Sequence, residues 1–172
     1  MSQTSDDLLK FLRRLRAVRE YTSEPIAEAM IEDMLEVGRW SGSSANRQPC
    51  AVIVVRDPDV KRQFGEWGAL PAATAAVVML IVNANDAARF DEGRLAERLL
   101  LAAAAHGLGS TVATLKGEGP ASAKRLLGIP EDYRAATIVA IGHIDVEARR
   151  ARQMNPQPRK PMEEFVHWDR WA

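Results

Sequence analysis

The sequence predicts an α+β fold, a sheet flanked by helices, and three observations carry that reading. Four short apolar runs rich in β-branched residues, at 51–55, 76–82, 110–115 and 136–142, read as core strands. Helix-period segments lie before and between them. The 172 residues, 47% of them hydrophobic, suffice for one buried core, so a single domain spanning 1–172 is expected.

Ser5 is a good N-cap, with Asp6 and Asp7 at the positive end of a helix dipole. Leu8, Leu9, Phe11, Leu12, Leu15 and Val18 then recur at helical spacing, opposite Lys10, Arg13, Arg14 and Arg16. Pro25 falls in a break, and a second helix is expected over 27–40 on a stripe of Met30, Ile31, Met34, Leu35 and Val37. Strand 51–55 follows, then a turn at Asp57-Pro58-Asp59 opening a short helix through Phe64, then strand 76–82. The helix over 90–106 is apolar nearly all round at its centre, from Leu95 to Ala105, so it must be covered on every side, and a second subunit is a plausible cover. Gly107 and Gly109 end it, strand 110–115 comes next, and a helix over 120–127 precedes the strand 136–142. From Val146 to Ala172 the chain becomes a tail with Arg149, Arg150 and Arg152, then three prolines and two terminal tryptophans. Apolar surface costs about 25 cal/mol per Å² to leave in water, so those tryptophans predict docking on this domain or on a neighbour.

Charge narrows the function classes. Lys+Arg and Asp+Glu are both 23, which gives no broad basic face for nucleic acid and leaves little repulsion against self-association. Residues 1–10 are polar and acidic and predict no secretory leader. The nearly apolar run 69–82 is too short for a membrane span of roughly 20 residues. One cysteine, Cys50, fits a reducing cytoplasm and reads as a small apolar side chain at a strand start. Gly107-Leu108-Gly109 follows a helix, so it is a helix end and not a dinucleotide fingerprint. The three histidines have no partners at ligand spacing, and no metal site is expected.

The most informative stretch is the loop Ser41-Gly42-Ser43-Ser44-Ala45-Asn46-Arg47-Gln48-Pro49. It gathers hydroxyls, side-chain amides and a guanidinium at one turn, and Pro49 extends the chain into the strand. Amides carry both a donor and an acceptor, so such a loop can read the edge of a mixed-polarity ring. Arg13, Arg14, Arg16 and Arg19 form one basic cluster, and Arg159 and Lys160 form another. A ring reader with separate cations suggests a cofactor with a heterocycle and a phosphate, although a solvated helix face and an ordinary loop explain each part alone.

Taken together and in order, these segments resemble the FMN-dependent nitroreductase family. The matching residues are Val18-Arg19-Glu20-Tyr21, Pro25-Ile26, Ser43 to Pro49, His106 to Ser110, Leu127-Gly128-Ile129-Pro130, Ile141-Gly142 and Arg159 to His167. Leu15, Ala17, Gly42 and Cys50 stand where the family pattern has arginine, serine, proline and an aromatic residue. The resemblance implies a central mixed, largely antiparallel sheet in an intertwined homodimer, with 146–172 packing on the partner subunit. It implies FMN between the subunits, with Arg16 and Arg19 along the flavin. Ser43, Ser44, Asn46 and Gln48 would come from the second subunit, Thr114 and Leu115 would make main-chain contacts at the ring, and Arg159 and Lys160 would meet the phosphate. The implied activity is ping-pong hydride transfer from NADH or NADPH to a small electron-poor acceptor such as a nitroaromatic or quinone. No catalytic side chain is implied. The alternatives are a flavin enzyme of another reaction, dehydrogenation or reductive dehalogenation, or a flavin-free dimeric binding protein.

Overall fold

The computed structural model describes residues 5–84, 88–152 and 158–171. In chain order they form α1 (Ser5–Arg14), α2 (Glu28–Arg39), β1 (Cys50–Val55), α3 (Pro58–Glu66), β2 (Val77–Asn83), α4 (Arg89–Ala105), β3 (Gly109–Thr114), α5 (Gly119–Leu127), β4 (Arg134–Gly142), α6 (Val146–Ala151) and α7 (Met162–Phe165). The four strands make one sheet in the order β1-β2-β4-β3, and every neighbouring pair is antiparallel.

Strand β2 explains the layering. All seven of its residues are buried, because the sheet is covered on both faces. Val78, Leu80 and Val82 point to one side, against Phe64, Ala72, Leu115 and Ala123. Val77, Met79 and Ile81 point to the other, against Met34, Leu95, Leu99 and Ala103 of the packed pair α2 and α4. Period-two alternation thus gives each face its own core, which is why the run reads as continuously apolar.

Two expectations change. The helical spacing from Leu8 runs on to Val18, but α1 stops at Arg14 and the chain then extends. Val18 N–H donates to Ser110 C=O at 2.9 Å, and Tyr21 bridges Ile144. The Tyr21 hydroxyl lies 2.6 Å from Val18 C=O and 3.0 Å from Ala140 C=O. Sheet pairing therefore overrides local helical preference and ties this basic segment to the end of the sheet. The tail does not dock on its own domain either: Phe165, Trp168 and Trp171 are 73%, 84% and 86% exposed.

Candidate functional site

The loop before β1 is held by its own polar groups. Ala45, Asn46 and Gln48 all have left-handed backbone, at φ 49°, 53° and 49°, a conformation that costs L-residues free energy unless the surroundings impose it. Ser43 Oγ accepts from Gln48 N–H at 2.8 Å, and Gln48 Nε2 donates to Asn46 C=O at 3.3 Å. Beneath the loop, Asp91 in the first turn of α4 accepts from Ser44 N–H at 3.2 Å through Oδ2. Asp91 is itself buried and pairs with Arg94 at 4.0 Å. The Arg94 guanidinium occupies the space where a Cβ on residue 42 would stand, so a larger residue there would have to push it aside. Ser43 and Gln48 line a cavity of about 250 Å³ behind the loop, with Ser41, Cys50 and Asp91. Burial, together with Glu92 and Asp91, pushes the Cys50 thiol up to about 11, which makes it inert.

A different surface runs along the free edge of β3. Leu115 N–H donates to Ala136 C=O at 2.8 Å, while Ser110 C=O points the other way, to Val18. Antiparallel ladders alternate these directions along the strand, so the main-chain groups of Val112 and Thr114 turn outward with that of Ser110. The edge borders two connected clefts. One, of about 470 Å³, is lined by Leu15, Arg16, Arg19 and residues 110–112, with Glu97, Leu100 and Ala104 of α4 opposite. The second, of about 600 Å³, is lined by Arg19, Gly68, Leu70, Pro71, residues 112–114, Lys116 and Arg152. Arg19 and Val112 belong to both, which makes one continuous groove. The Arg152 guanidinium donates to Glu20 Oε1 at 2.7 Å. Burial raises the Glu20 carboxyl, but bonds from Arg152 and from Arg19 N–H outweigh it, and Glu20 sits below its ordinary value.

The structure therefore sorts the expected site residues into three places. Arg16, Arg19 and Thr114 share the groove. Ser43, Ser44, Asn46 and Gln48 share the loop, at the other end of α4. Arg159 and Lys160 are exposed just ahead of α7 and do not line the groove. Leu115 is buried, with its N–H spent on Ala136. The sequence reading missed Asp91 and Arg94 under the loop. It also missed Gly68, Leu70, Pro71, Lys116 and Arg152 in the groove. A lysine directly after a strand end, in Thr114-Leu115-Lys116, was the available signal.

Comparison with known proteins places the chain in a family. A sequence profile described as Nitroreductase family matches residues 12–71, from the end of α1 to the groove wall at Pro71. A relative from Archaeoglobus fulgidus, named for an NADH dehydrogenase or NAD(P)H nitroreductase activity, is 31% identical over 149 residues, covering 80% of this chain and 86% of its own. An NADH dehydrogenase of Thermus thermophilus is 28% identical over 195 residues, covering 89% and 91%. Among solved structures, an FMN-dependent nitroreductase from Clostridium difficile superposes with a TM-score of 0.80 at 20% identity, covering 95% of this chain and 99% of that one. By the length and identity of these matches, the chain belongs to the nitroreductase family.

Proposed function

We propose that this chain is an FMN-dependent NAD(P)H oxidoreductase whose flavin site is completed by a second copy of the chain. The observation that carries the reading is the groove along β3, where Arg16 and Arg19 stand beside outward-facing main chain. That donor set fits a flavin mononucleotide. Main-chain donors and acceptors suit the mixed edge of its ring, and the Arg19 guanidinium suits a ring that gains negative charge, with Arg16 beside it donating to Arg13 and Leu15 C=O at 2.7 Å. The names of the relatives, which pair FMN with nitroreductase activity and NADH or NADPH with electron donation, support the same cofactors.

When bound, the flavin would supply the redox chemistry, by which hydride from NADH or NADPH reduces an electron-poor acceptor such as a nitroaromatic or quinone by way of its N5. The chain's part is to bind, orient and shield. Arg19 provides fixed positive charge for the negative charge that arrives on reduction. Leu70, Pro71 and Val112 supply an apolar wall that displaces water. Hydride transfer needs no proton from a side chain, so no residue is assigned as acid or base.

Two features favour a homodimer with residues 1–172 as one domain and 146–172 reaching across the partner. The exposed amides of Asn46 and Gln48 stand apart from the groove of their own chain. The tail leaves Phe165, Trp168 and Trp171 in water unless another surface covers them. In that assembly Arg159 and Lys160 would serve the phosphate. Among the described residues no helix is long and apolar enough to cross a membrane, and balanced charge argues against a nucleic-acid partner. One half-buried cysteine suits a cytoplasmic setting.

The test is an absorption spectrum combined with sedimentation. Purified protein should carry flavin bands, sediment at about twice the 19.0 kDa chain mass, and be bleached by NADH or NADPH before any acceptor is added. A colourless single chain that ignores added FMN would overturn the proposal in favour of a binding protein.

A further inference from the structure

We infer that Lys116 forms an anion subsite at the far end of the groove, and that the acceptor this enzyme reduces is a planar molecule carrying a carboxylate or a similar negative group. The inference rests on the flavin reading above and names the substrate class of that site. Following β3 from Ser110 to Thr114 leads from the cleft of Arg16 to the cleft of Lys116, with Arg19 between them. If Arg16 and Arg19 attend the cofactor, Lys116 lies beyond it, in the space left for a second molecule.

Three observations make Lys116 more than a surface lysine. Its main chain is anchored on both sides, with its N–H donating to Trp67 C=O at 2.7 Å and its C=O accepting from Gly119 N–H at 2.9 Å. Its aliphatic stem packs over Gly68, which has φ +93°, and a Cβ there would stand 3.0 Å from Lys116 Cδ. The chain thus uses a left-handed glycine to let the stem lie flat. Finally, the Lys116 ammonium has no hydrogen-bond or ion-pair partner among the described residues, whereas Arg152 across the cleft is occupied by Glu20. Among the described residues no carboxylate lines this cleft, and the rest of its wall is Leu70, Pro71, Val112 and Ala113, with Thr114 and the Arg19 assigned to the cofactor on its near side. An unpaired cation beside an apolar wall selects a flat molecule with one anionic group.

The same charge could instead serve the cofactor's phosphate or the phosphates of NAD(P)H, and the experiment separates these sources. Wild-type protein and Lys116→Met are titrated calorimetrically with benzoate and with benzamide, which share a planar shape and size, differ in charge and are not reduced. Wild type should bind benzoate at least about tenfold more tightly than benzamide, Lys116→Met should lose the difference, and Lys116→Arg should keep it. Turnover is then compared with 4-nitrobenzoate and its methyl ester. Each nitro group takes two electrons and two protons, giving a nitroso group and water, while NADH becomes NAD+. In Lys116→Met, kcat/KM should fall about tenfold more for the acid than for the ester.

Equal loss for acid and ester would overturn the inference. So would weaker FMN binding in Lys116→Met, which assigns the lysine to the cofactor, or slower flavin reduction by NADPH alone, which assigns it to the donor. Failure of the flavin reading itself shows separately, as protein that takes up no FMN.

Discussion

The two ends of α4 carry polar surfaces of opposite kinds. At its N-terminal end the loop 41–49 is bonded to the chain itself, through Ser43, Gln48 and the buried Asp91, with Arg94 wedged under Gly42. Along its C-terminal half, and onward past the end of β3, the groove presents charge that the chain leaves unused: the side chains of Arg19 and Lys116 have no hydrogen-bond or ion-pair partner among the described residues. One surface has a shape already set, and the other has charge still to be neutralised. A site assembled from both would present its ring-reading amides pre-organised and keep its cations for the ligand.

The sharpest way to break this contrast is to remove the support under the loop. Asp91→Ala should cost about 1–3 kcal/mol of stability, because it strands Ser44 N–H and frees Arg94. It should also weaken FMN binding more than any change at the loop surface. Denaturant melts and FMN titration would check both, and Asp91→Asn, which keeps an acceptor, should recover part of the loss.

The groove should behave differently. Arg19→Ala should leave stability nearly unchanged and raise the FMN dissociation constant about tenfold, equivalent to about 1.4 kcal/mol, with a smaller deficit at high salt. A variant that unfolds while binding FMN normally would reverse the assigned roles of the two ends. Tyr21→Phe lies between the cases, since its hydroxyl pins the segment bearing Arg16 and Arg19 to the sheet. It should cost about 1 kcal/mol in a denaturant melt and loosen FMN modestly.

The smallest effect is expected at Cys50. Its thiol ionises only near pH 11, because burial and the Asp91 and Glu92 carboxylates disfavour the thiolate. At about pH 8 its thiolate fraction is then on the order of a hundredfold below that of a free cysteine, and alkylation by iodoacetamide should be correspondingly slow. Rapid labelling would mean that the cavity behind the loop opens in solution.

Much of this was legible in the residues. The strands at 51–55, 76–82, 110–115 and 136–142 lie within a residue or two of the observed ones, since fully apolar β-branched runs admit few other placements. Arg16, Arg19 and Thr114 were identified and do share one groove. Two things were not legible. Helical spacing continues through Leu15 and Val18, and only the pairing of Val18 with Ser110 shows that the chain is extended there. Nor does anything local to Asp91, Gly68 or Lys116 announce a role, because Asp91 acts on Ser44, 47 positions away, and Gly68 and Lys116 act on each other across a similar distance in the chain.

By itself, then, the order of apolar and polar residues determined the strands, most of the helices and the family, because periodicity and short motifs are local properties of a chain. Tertiary structure decided which charges are consumed and which are left over. Arg94 and Arg152 look like Arg19 and Lys116 in a string of letters. Arg94 finds Asp91 one helical turn away, but Arg152 meets Glu20 only because folding joins positions 132 apart, while Arg19 and Lys116 face the open groove.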